Sequence, residues 1–449
     1  MHSILKIIKK FRVLGDKSAI FWEGNYFSYN DLLAMIKHWE KDLKQDGINQ
    51  GTVCGFTGDY SPRACALIFA LMKMKAIIVP LSDEVELLKI DSFKKIAEVD
   101  YLIDNISNNS YRLVKQTIVH NNILIQTFLK RNTPGLIVFT SGSTGEPKGI
   151  LHDCEQVMHK FVDKRQGWRT ILFLLIDHFG GFNTLLSSFA YGGTAVCIND
   201  RRPETICKII EETEADLLPT TPTFINLLIA SRVYQKYNLS SIKLITYGTE
   251  VMPESTLRRL KNIFPTAKIK QTYGLSELGV LRSKSEGDNS VWVKVGGEGF
   301  ETKIIDNYLW VRSQSNMIGY LNAPNPINEE GWMNTGDQVE TRGDYIRILG
   351  RKSEMINIGG QKVFPIEIET VLLEIDNIVE SIVYGKKNQI MGQILNANIS
   401  IHHPEEKKLL IERIRKHCLS KLPKWKIPVK FNIVSKEEQI SVRYKKKRI

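Results

Sequence analysis

The segment Thr140-Ser-Gly-Ser-Thr-Gly-Glu-Pro-Lys148-Gly149 gathers four hydroxyls, three glycines and a lysine into ten residues. Small residues let backbone N–H groups come close to phosphate oxygens. The hydroxyls of Thr140, Ser141, Ser143 and Thr144 would add donors, and Lys148 would add a point charge. The spacing departs from the glycine-rich loop of P-loop nucleotidases. Pro147 stands where that loop needs a second glycine, and Gly149 follows the lysine where Ser or Thr is required. A plain surface turn is the alternative, but a buried strand directly before the loop favours phosphate. A second cationic feature closes the chain, where residues 441–449 read Ser-Val-Arg-Tyr-Lys-Lys-Lys-Arg-Ile. No Ser–His–Asp or Cys–His arrangement offers a nucleophile. The six cysteines, Cys54, Cys65, Cys154, Cys197, Cys207 and Cys418, are scattered, with neither a Cys-x-x-Cys pair nor a zinc-ligand spacing. That usage suits reduced thiols in the cytoplasm.

Elements that could position such a loop are legible around it. The first two-thirds alternates between short apolar runs and helical patterns. Strands are expected over 76–80 (ended by Pro80), 136–140, 171–176, 194–198 and 244–247, with helices over 64–74, 183–190 and 253–264. A further helix starts near Tyr26-Phe-Ser-Tyr, capped by Ser28 or Asn30. Alternation of this kind points to parallel sheets flanked by helices. Beyond residue 290 the texture changes to short strands and turns (291–295, 302–305, 309–313, 338–341, 345–349), a smaller β-rich subdomain. Residues 350–354 read as a linker, followed by a compact unit with a helix over 367–373, strands over 378–384 and 395–401, and an amphipathic helix over 405–421. The fold class is therefore α/β: a large N-terminal domain of helix-flanked sheets with a β-rich subdomain, and a small mobile α+β C-terminal domain. Domain limits are expected at 1–350 and 351–449.

The chain has 449 residues, more than one compact core normally organises. Sixty-one Lys and Arg against 49 Asp and Glu give a net charge of +12. That balance favours anionic ligands such as nucleotides and also fits nucleic acid or an anionic membrane. The N-terminal stretch alternates apolar and basic residues, and Lys6, Lys9 and Lys10 interrupt it as a signal sequence. A short amphipathic helix covering the domain is the expectation there. No apolar run approaches a membrane span.

Taken in order, the motifs resemble those of the adenylate-forming superfamily, which holds acyl- and aryl-CoA synthetases, nonribosomal peptide adenylation domains and beetle luciferases. Thr140 to Gly149 is similar to its signature loop. The resemblance implies that Thr140, Ser141, Gly142, Ser143, Thr144, Gly145 and Lys148 bind ATP. Gln271-Thr-Tyr-Gly-Leu-Ser-Glu-Leu278 resembles the family's Y-G-x-[ST]-E motif. By that likeness Tyr273 stacks on adenine within the turn Thr272–Gly274, Ser276 contacts the α-phosphate, and Glu277 is catalytic as the Mg²⁺ ligand. Asn334-Thr-Gly-Asp337 resembles the T-G-D motif, with Asp337 accepting both ribose hydroxyls and Arg351 of Gly350-Arg351 reaching the same ribose. Gly248, Thr249 and Glu250 occupy the place of a loop lining the adenine and acyl pocket.

The implied reaction is carboxylate attack on the α-phosphate of ATP, giving an acyl-adenylate and pyrophosphate, then transfer to a thiol. Two anions meet in the first step, so cations and N–H donors carry it. The family supplies one lysine from a C-terminal T-x-x-G-K-x-x-R. Laid on the tail, Ser441, Lys445 and Arg448 fill that pattern, while Tyr444 replaces the glycine. Lys445 is the expected catalytic lysine, Lys446 the alternative, and a purely solvated tail the bland reading. Ser353 occupies the position of the family's hinge residue. Leu174-Leu-Ile-Asp-His178-Phe-Gly-Gly resembles the H-x-x-G segment of acyl- and aryl-CoA synthetases, so His178 would flank the acyl pocket, unless it is a satisfied core histidine. Asp177 leaves an amino-acid substrate open. The expected cofactors are ATP, Mg²⁺ and coenzyme A or a carrier-protein phosphopantetheine. The expected partners are a small carboxylic acid and, on the alternative acceptor, an acyl carrier protein, with no nucleic acid and no transmembrane segment. Oligomeric state stays open. A nucleic-acid- or membrane-binding protein on a degenerate ligase fold is the competing class.

Overall fold

A computed structural model describes residues 3–82, 87–104, 106, 110–116, 119–141, 146–389, 391–441 and 444–447. Runs of Val, Ile and Leu bounded by glycine and proline form central strands, because helices cover both faces of the sheets they enter. One seven-stranded sheet runs in the order Lys268–Gln271, Leu244–Tyr247, Leu217–Thr220, Arg169–Ile171, Thr194–Val196, Ser18–Trp22, Asn25–Ser28. All its neighbours are parallel except the last pair, a hairpin. A second runs Gly319–Tyr320, Pro147–Asp153, Gly135–Ser141, Ile77–Leu81, Val53–Thr57, Tyr101–Asp104, Arg112–Lys115. Helices Tyr29–Gln45, Pro62–Lys73 and Phe179–Ala190 share one core with both sheets, centred on Phe11, Tyr29, Trp39, Phe69, Phe182 and Phe189.

Local signals explain the entries into these elements. Ser28 ends a strand and caps helix Tyr29–Gln45, accepting from Asp31 N at 3.0 Å while Asp31 accepts from Ser28 N at 2.7 Å. This reciprocal cap satisfies two orphan N–H groups. Asn30, the other expected cap, lies inside the helix and donates to Asp16. The amphipathic N-terminal helix is Ser3–Leu14, and its Ile4, Ile7, Ile8 and Phe11 are buried against the domain, as expected of a covering helix.

The β-rich region is a six-stranded antiparallel sheet in the order Ser283–Ser285, Val293–Val295, Tyr345–Arg351, Trp332–Arg342, Tyr308–Ser313, Phe300–Ile305. After Arg351 a 3₁₀ turn, Lys352–Glu354, leads to the hairpin Ile356–Ile358 and Gln361–Val363. Helices Pro365–Leu372 and Lys407–Lys421 then pack on the sheet Ile378–Asn388, Gly392–Ile401, Lys430–Ile433. This unit has its own core around Ile368, Leu372, Ala397, Ile399, Leu410 and Ile414. The α/β class with a large and a smaller unit is as the sequence indicates. Among the described residues, no helix is long and apolar enough to cross a membrane.

Three local expectations are corrected. Pro80 does not end its strand; it sits inside Ile77–Leu81 opposite Phe56. It is tolerated there because pairing with the other neighbour stops at Ile78, so the missing N–H breaks no ladder. Residues 350–354 are not a free linker, since strand Tyr345–Arg351 runs through Arg351. The strand expected over 171–176 is only Arg169–Ile171, because the chain leaves the sheet to meet the next helix. Tyr60 Oη donates to Leu174 O at 2.9 Å, and a Cβ on Gly181 would lie 2.0 Å from Leu175 O. That contact admits only glycine. Gly181→Ala should therefore lower stability by about 3 kcal/mol, the upper end for overpacking. Thermal unfolding tests it, and a variant as stable as the parent would contradict the close approach.

Candidate active site

The first sheet brings two motif loops together. Strands Leu244–Tyr247 and Lys268–Gln271 end in register, Tyr247 beside Gln271, so the turns after them emerge side by side. Thr272 N and Oγ1 both donate to Tyr247 O, at 2.7 and 3.0 Å. A Cβ on Gly248 would sit 2.5 Å from Thr272 Oγ1, so glycine is what lets the turns touch. Thr249 follows in the left-handed region, at φ +71. Gly274 approaches equally closely, with Gly279 O 2.6 Å from where its Cβ would be.

The segment carrying Glu277 is held by its carbonyls. His152 Nε2 donates to Ser276 O at 2.6 Å, and Met317 N to Glu277 O at 2.7 Å. Ser313 and Ser315 hydroxyls reach Leu278 O at 3.2 and 3.1 Å. Lys160 Nζ donates to Val280 O at 2.9 Å. His152 is fully buried, and burial lowers its pKa to about 4, so the neutral ring carries its proton on Nε2. Burial, then Arg165 and Arg282, lowers Lys160 to about 7. The Glu277 carboxylate itself accepts from Tyr320 Oη at 2.6 Å. Lys148 Nζ stands 5.1 Å from the centre of the same tyrosine ring, within cation–π range. Lys148 and Glu277, from motifs far apart in sequence, thus meet across Tyr320.

The strands also pair Asp337 directly with Arg351. Arg351 Nε donates to Asp337 Oδ1 at 3.0 Å, and Tyr273 Oη to Oδ2 at 2.6 Å. Asp337 is 4% exposed, so both its oxygens are fixed. Each oxygen has a second lone pair with which to accept a hydroxyl. The Tyr273 ring is buried in the β-rich core.

Other expected site residues divide. Thr140 and Lys148 face each other in the antiparallel pair Gly135–Ser141 and Pro147–Asp153. The connecting Gly142, Ser143, Thr144 and Gly145, the Ser141 side chain and Arg448 lie outside the described residues. His178 is the N-cap residue of helix Phe179–Ala190. Asp177 is 4% exposed and accepts from Ser82 Oγ at 3.1 Å. Glu250 accepts from Thr223 Oγ1 at 2.8 Å and from Lys446 N at 2.9 Å, so it ties the tail to the large domain. Lys446 Nζ is buried between Glu369 and Glu380, 2.9 Å from each. Lys445 is half-buried next to it, its N donating to Ser441 Oγ at 3.2 Å.

His152, Lys160, Tyr320, Glu369 and Glu380 were not expected from sequence as parts of this arrangement. A histidine in the strand after Lys148 was the one available signal. Lys160 offers none, since it acts on a backbone atom 120 positions away.

The model of the AMP-binding enzyme family matches residues 9–321, and that of the AMP-binding enzyme C-terminal domain matches 367–440. The chain is 26% identical over 432 residues to an indoleacetate–CoA ligase of Aromatoleum aromaticum, covering 85% of this chain and 84% of that one. It is 24% identical over 430 residues to a medium/long-chain-fatty-acid–[acyl-carrier-protein] ligase of Mycobacterium tuberculosis, covering 82% and 78%. Its fold matches the crystal structure of an anthranilate CoA ligase in complex with anthranoyl-AMP, with TM-score 0.81, 19% identity, and 97% and 94% of the two chains covered.

His152 gives the site a pH signature. Its folded pKa lies below the free value of about 6.5, so its contribution is whole above pH 6.5 and is lost as pH falls toward 4. The loss should reach roughly 3 kcal/mol across that interval. Denaturant midpoints measured from pH 7 to 4 should fall more steeply for the parent than for His152→Asn, which keeps a donor but does not titrate. Equal slopes would contradict the buried neutral imidazole.

Proposed function

We propose, for a chain that belongs to the AMP-binding enzyme family, a division of labour among the residues that make it an ATP-dependent acid–thiol ligase. The enzyme joins a carboxylic acid to AMP with release of pyrophosphate, and then passes the acyl group to the thiol of coenzyme A. A carboxylate is a poor acyl donor because oxide leaves badly, whereas AMP leaves well. The chemistry needs charge placed around the α-phosphate and no side-chain nucleophile.

The observation that carries the residue assignment is the meeting of Lys148 and Glu277 across Tyr320. It gathers a cation and a hard carboxylate around one tyrosine, as a polyphosphate with its metal requires. Lys148 and the loop 140–145 bind phosphate, Ser276 the α-phosphate, and Asp337 with Arg351 the ribose. The turns Gly248–Glu250 and Thr272–Gly274 border the adenine. Among the described residues no three His, Cys, Asp or Glu stand together as a metal cage. Mg²⁺ at phosphates takes one or two carboxylates and lets the phosphates supply the rest, which Glu277 suits. When bound, Mg²⁺ would neutralise phosphate charge. His178 borders the acid. Lys445, presented by the tail, bridges carboxylate and α-phosphate. Residues 1–350 would form the adenylating unit and 351–449 the mobile one. The six buried cysteines, none in a disulfide, suit the cytoplasm.

The second reading changes only the acceptor. A carrier-protein phosphopantetheine has the same thiol arm, and the exposed Lys424 and Lys430 suit an acidic carrier. The turn at Gly359 and Gly360 would border that arm in either case.

ATP–pyrophosphate exchange over a panel of aryl and short acyl acids tests the activity. Exchange with none of them would sink the reading. With an accepted acid, Lys445→Ala should lower exchange at least a hundredfold while leaving the melting temperature unchanged. Lys446→Ala should instead cost about 3 kcal/mol of stability, because it leaves two carboxylates buried without their cation. Full exchange in Lys445→Ala would remove that residue from the mechanism. Thioester yield with coenzyme A against a phosphopantetheinylated carrier decides the acceptor, and coenzyme A is expected to be used.

A further inference from the structure

Tyr444 stands where the family's tail pattern has glycine, and its backbone is left-handed, at φ +50. A bulky residue in that region is strained and persists only where its surroundings over-determine it. They do so here. The ring packs against Phe173 at 5.5 Å and Phe224 at 5.6 Å, the latter edge-on. Both partners belong to the large domain's second core. Phe173 is fixed in turn by Arg201, whose Nε donates to Phe173 O at 2.6 Å and whose guanidinium pairs with Asp59 at 2.6 Å. Thr221 Oγ1 accepts from Phe224 N at 3.1 Å and donates to Tyr444 O at 2.6 Å. One hydroxyl thereby joins the aromatic socket to the strained residue.

Two residues on, the tail is fastened to the other domain. The Lys446 ammonium lies between Glu369 of helix Pro365–Leu372 and Glu380 of strand Ile378–Asn388, and also donates to Ser381 O at 3.1 Å. Lys447 N donates to Gln439 O at 2.7 Å. Lys445 is the residue between these two anchors.

We infer that Tyr444 is a positioning residue: its ring is the plug that latches the small domain onto the large one in the orientation that presents Lys445. The inference rests on the proposed role of Lys445. The two anchors differ in kind. The Lys446 ammonium is tied to its own domain by a buried ionic triad and travels with it, while its backbone N–H reaches Glu250 of the large domain at 2.9 Å, a single contact beside the ring's socket. Tyr444 is held in the large domain by ring packing and by the Thr221 hydroxyl on its carbonyl, and it must leave Phe173 and Phe224 when the small domain turns. A glycine would keep the turn and lose the plug, so this chain gains a latch that the family pattern lacks.

Nitroxide labels on Val13→Cys and Leu419→Cys test this in the full-length protein by pulsed electron spin resonance. Both positions are strongly exposed, and the six native cysteines are buried, so labelling is selective. The parent and Tyr444→Phe should share one narrow distance distribution. Tyr444→Ala and Tyr444→Gly should both add a second population. A parental distribution in Tyr444→Ala would overturn the latch, and one in Tyr444→Gly alone would assign the effect to the turn and overturn the ring's role. With an acid that supports exchange, Tyr444→Ala should lower the maximal exchange rate at least tenfold with KM for ATP within twofold. Transfer of acyl from supplied acyl-adenylate to thiol should be undiminished, and equal loss of both half-reactions would overturn the positioning role. If no acid supports exchange, the proposed activity fails while the distances still decide the latch.

Discussion

A carboxylate and a triphosphate repel each other, and bringing them into contact is the constraint on which this structure turns. Water screens the repulsion but also solvates both groups away from reaction. A protein must replace that water with fixed dipoles and cations that need no reorganisation when charge moves. Most of them can be built permanently into one domain. A cation placed at the contact itself would obstruct the thiol that arrives later, so it belongs on a part that can leave. The proposed role of Lys445, on the smaller unit that follows the two-sheet body, answers that conflict.

The segment that carries Glu277 is held through its backbone carbonyls. Glu277 lies on a short irregular segment with little ladder pairing of its own. Four of its neighbouring carbonyls are held by His152, Met317 N–H, two serines and Lys160. Two of these donors are side chains that titrate far from their free values because they are buried. Burial that is costly for an imidazolium or an ammonium is tolerable when the group serves as a neutral or singly engaged donor. The segment bearing the carboxylate is thus held by groups that come from distant parts of the chain.

Short motifs were legible as sequence patterns, and the structure pairs two of them directly, Asp337 with Arg351. The sheets were legible because parallel strands are apolar runs between helical patterns. Arrangements in which a side chain serves a distant backbone atom were not legible. His152 and Ser276 are 124 positions apart, and no local pattern links them. Pro80 and Gly181 misled or hid for a related reason, since each reports on a neighbouring segment whose path the sequence does not draw. Tyr444 read as a defect in a motif, yet its backbone is left-handed, the region that glycine enters most easily. Glu250 read as a pocket wall, and its two oxygens are engaged by Thr223 and the tail.

The central claim is that an acyl-adenylate lies between acid and thioester, and isotope transfer tests it without reference to any one side chain. An accepted acid labelled with ¹⁸O in its carboxylate, incubated with ATP, Mg²⁺ and coenzyme A, should deliver one label to the phosphate of AMP. Label in orthophosphate with ADP as the nucleotide product, or no label in any phosphate, would contradict it.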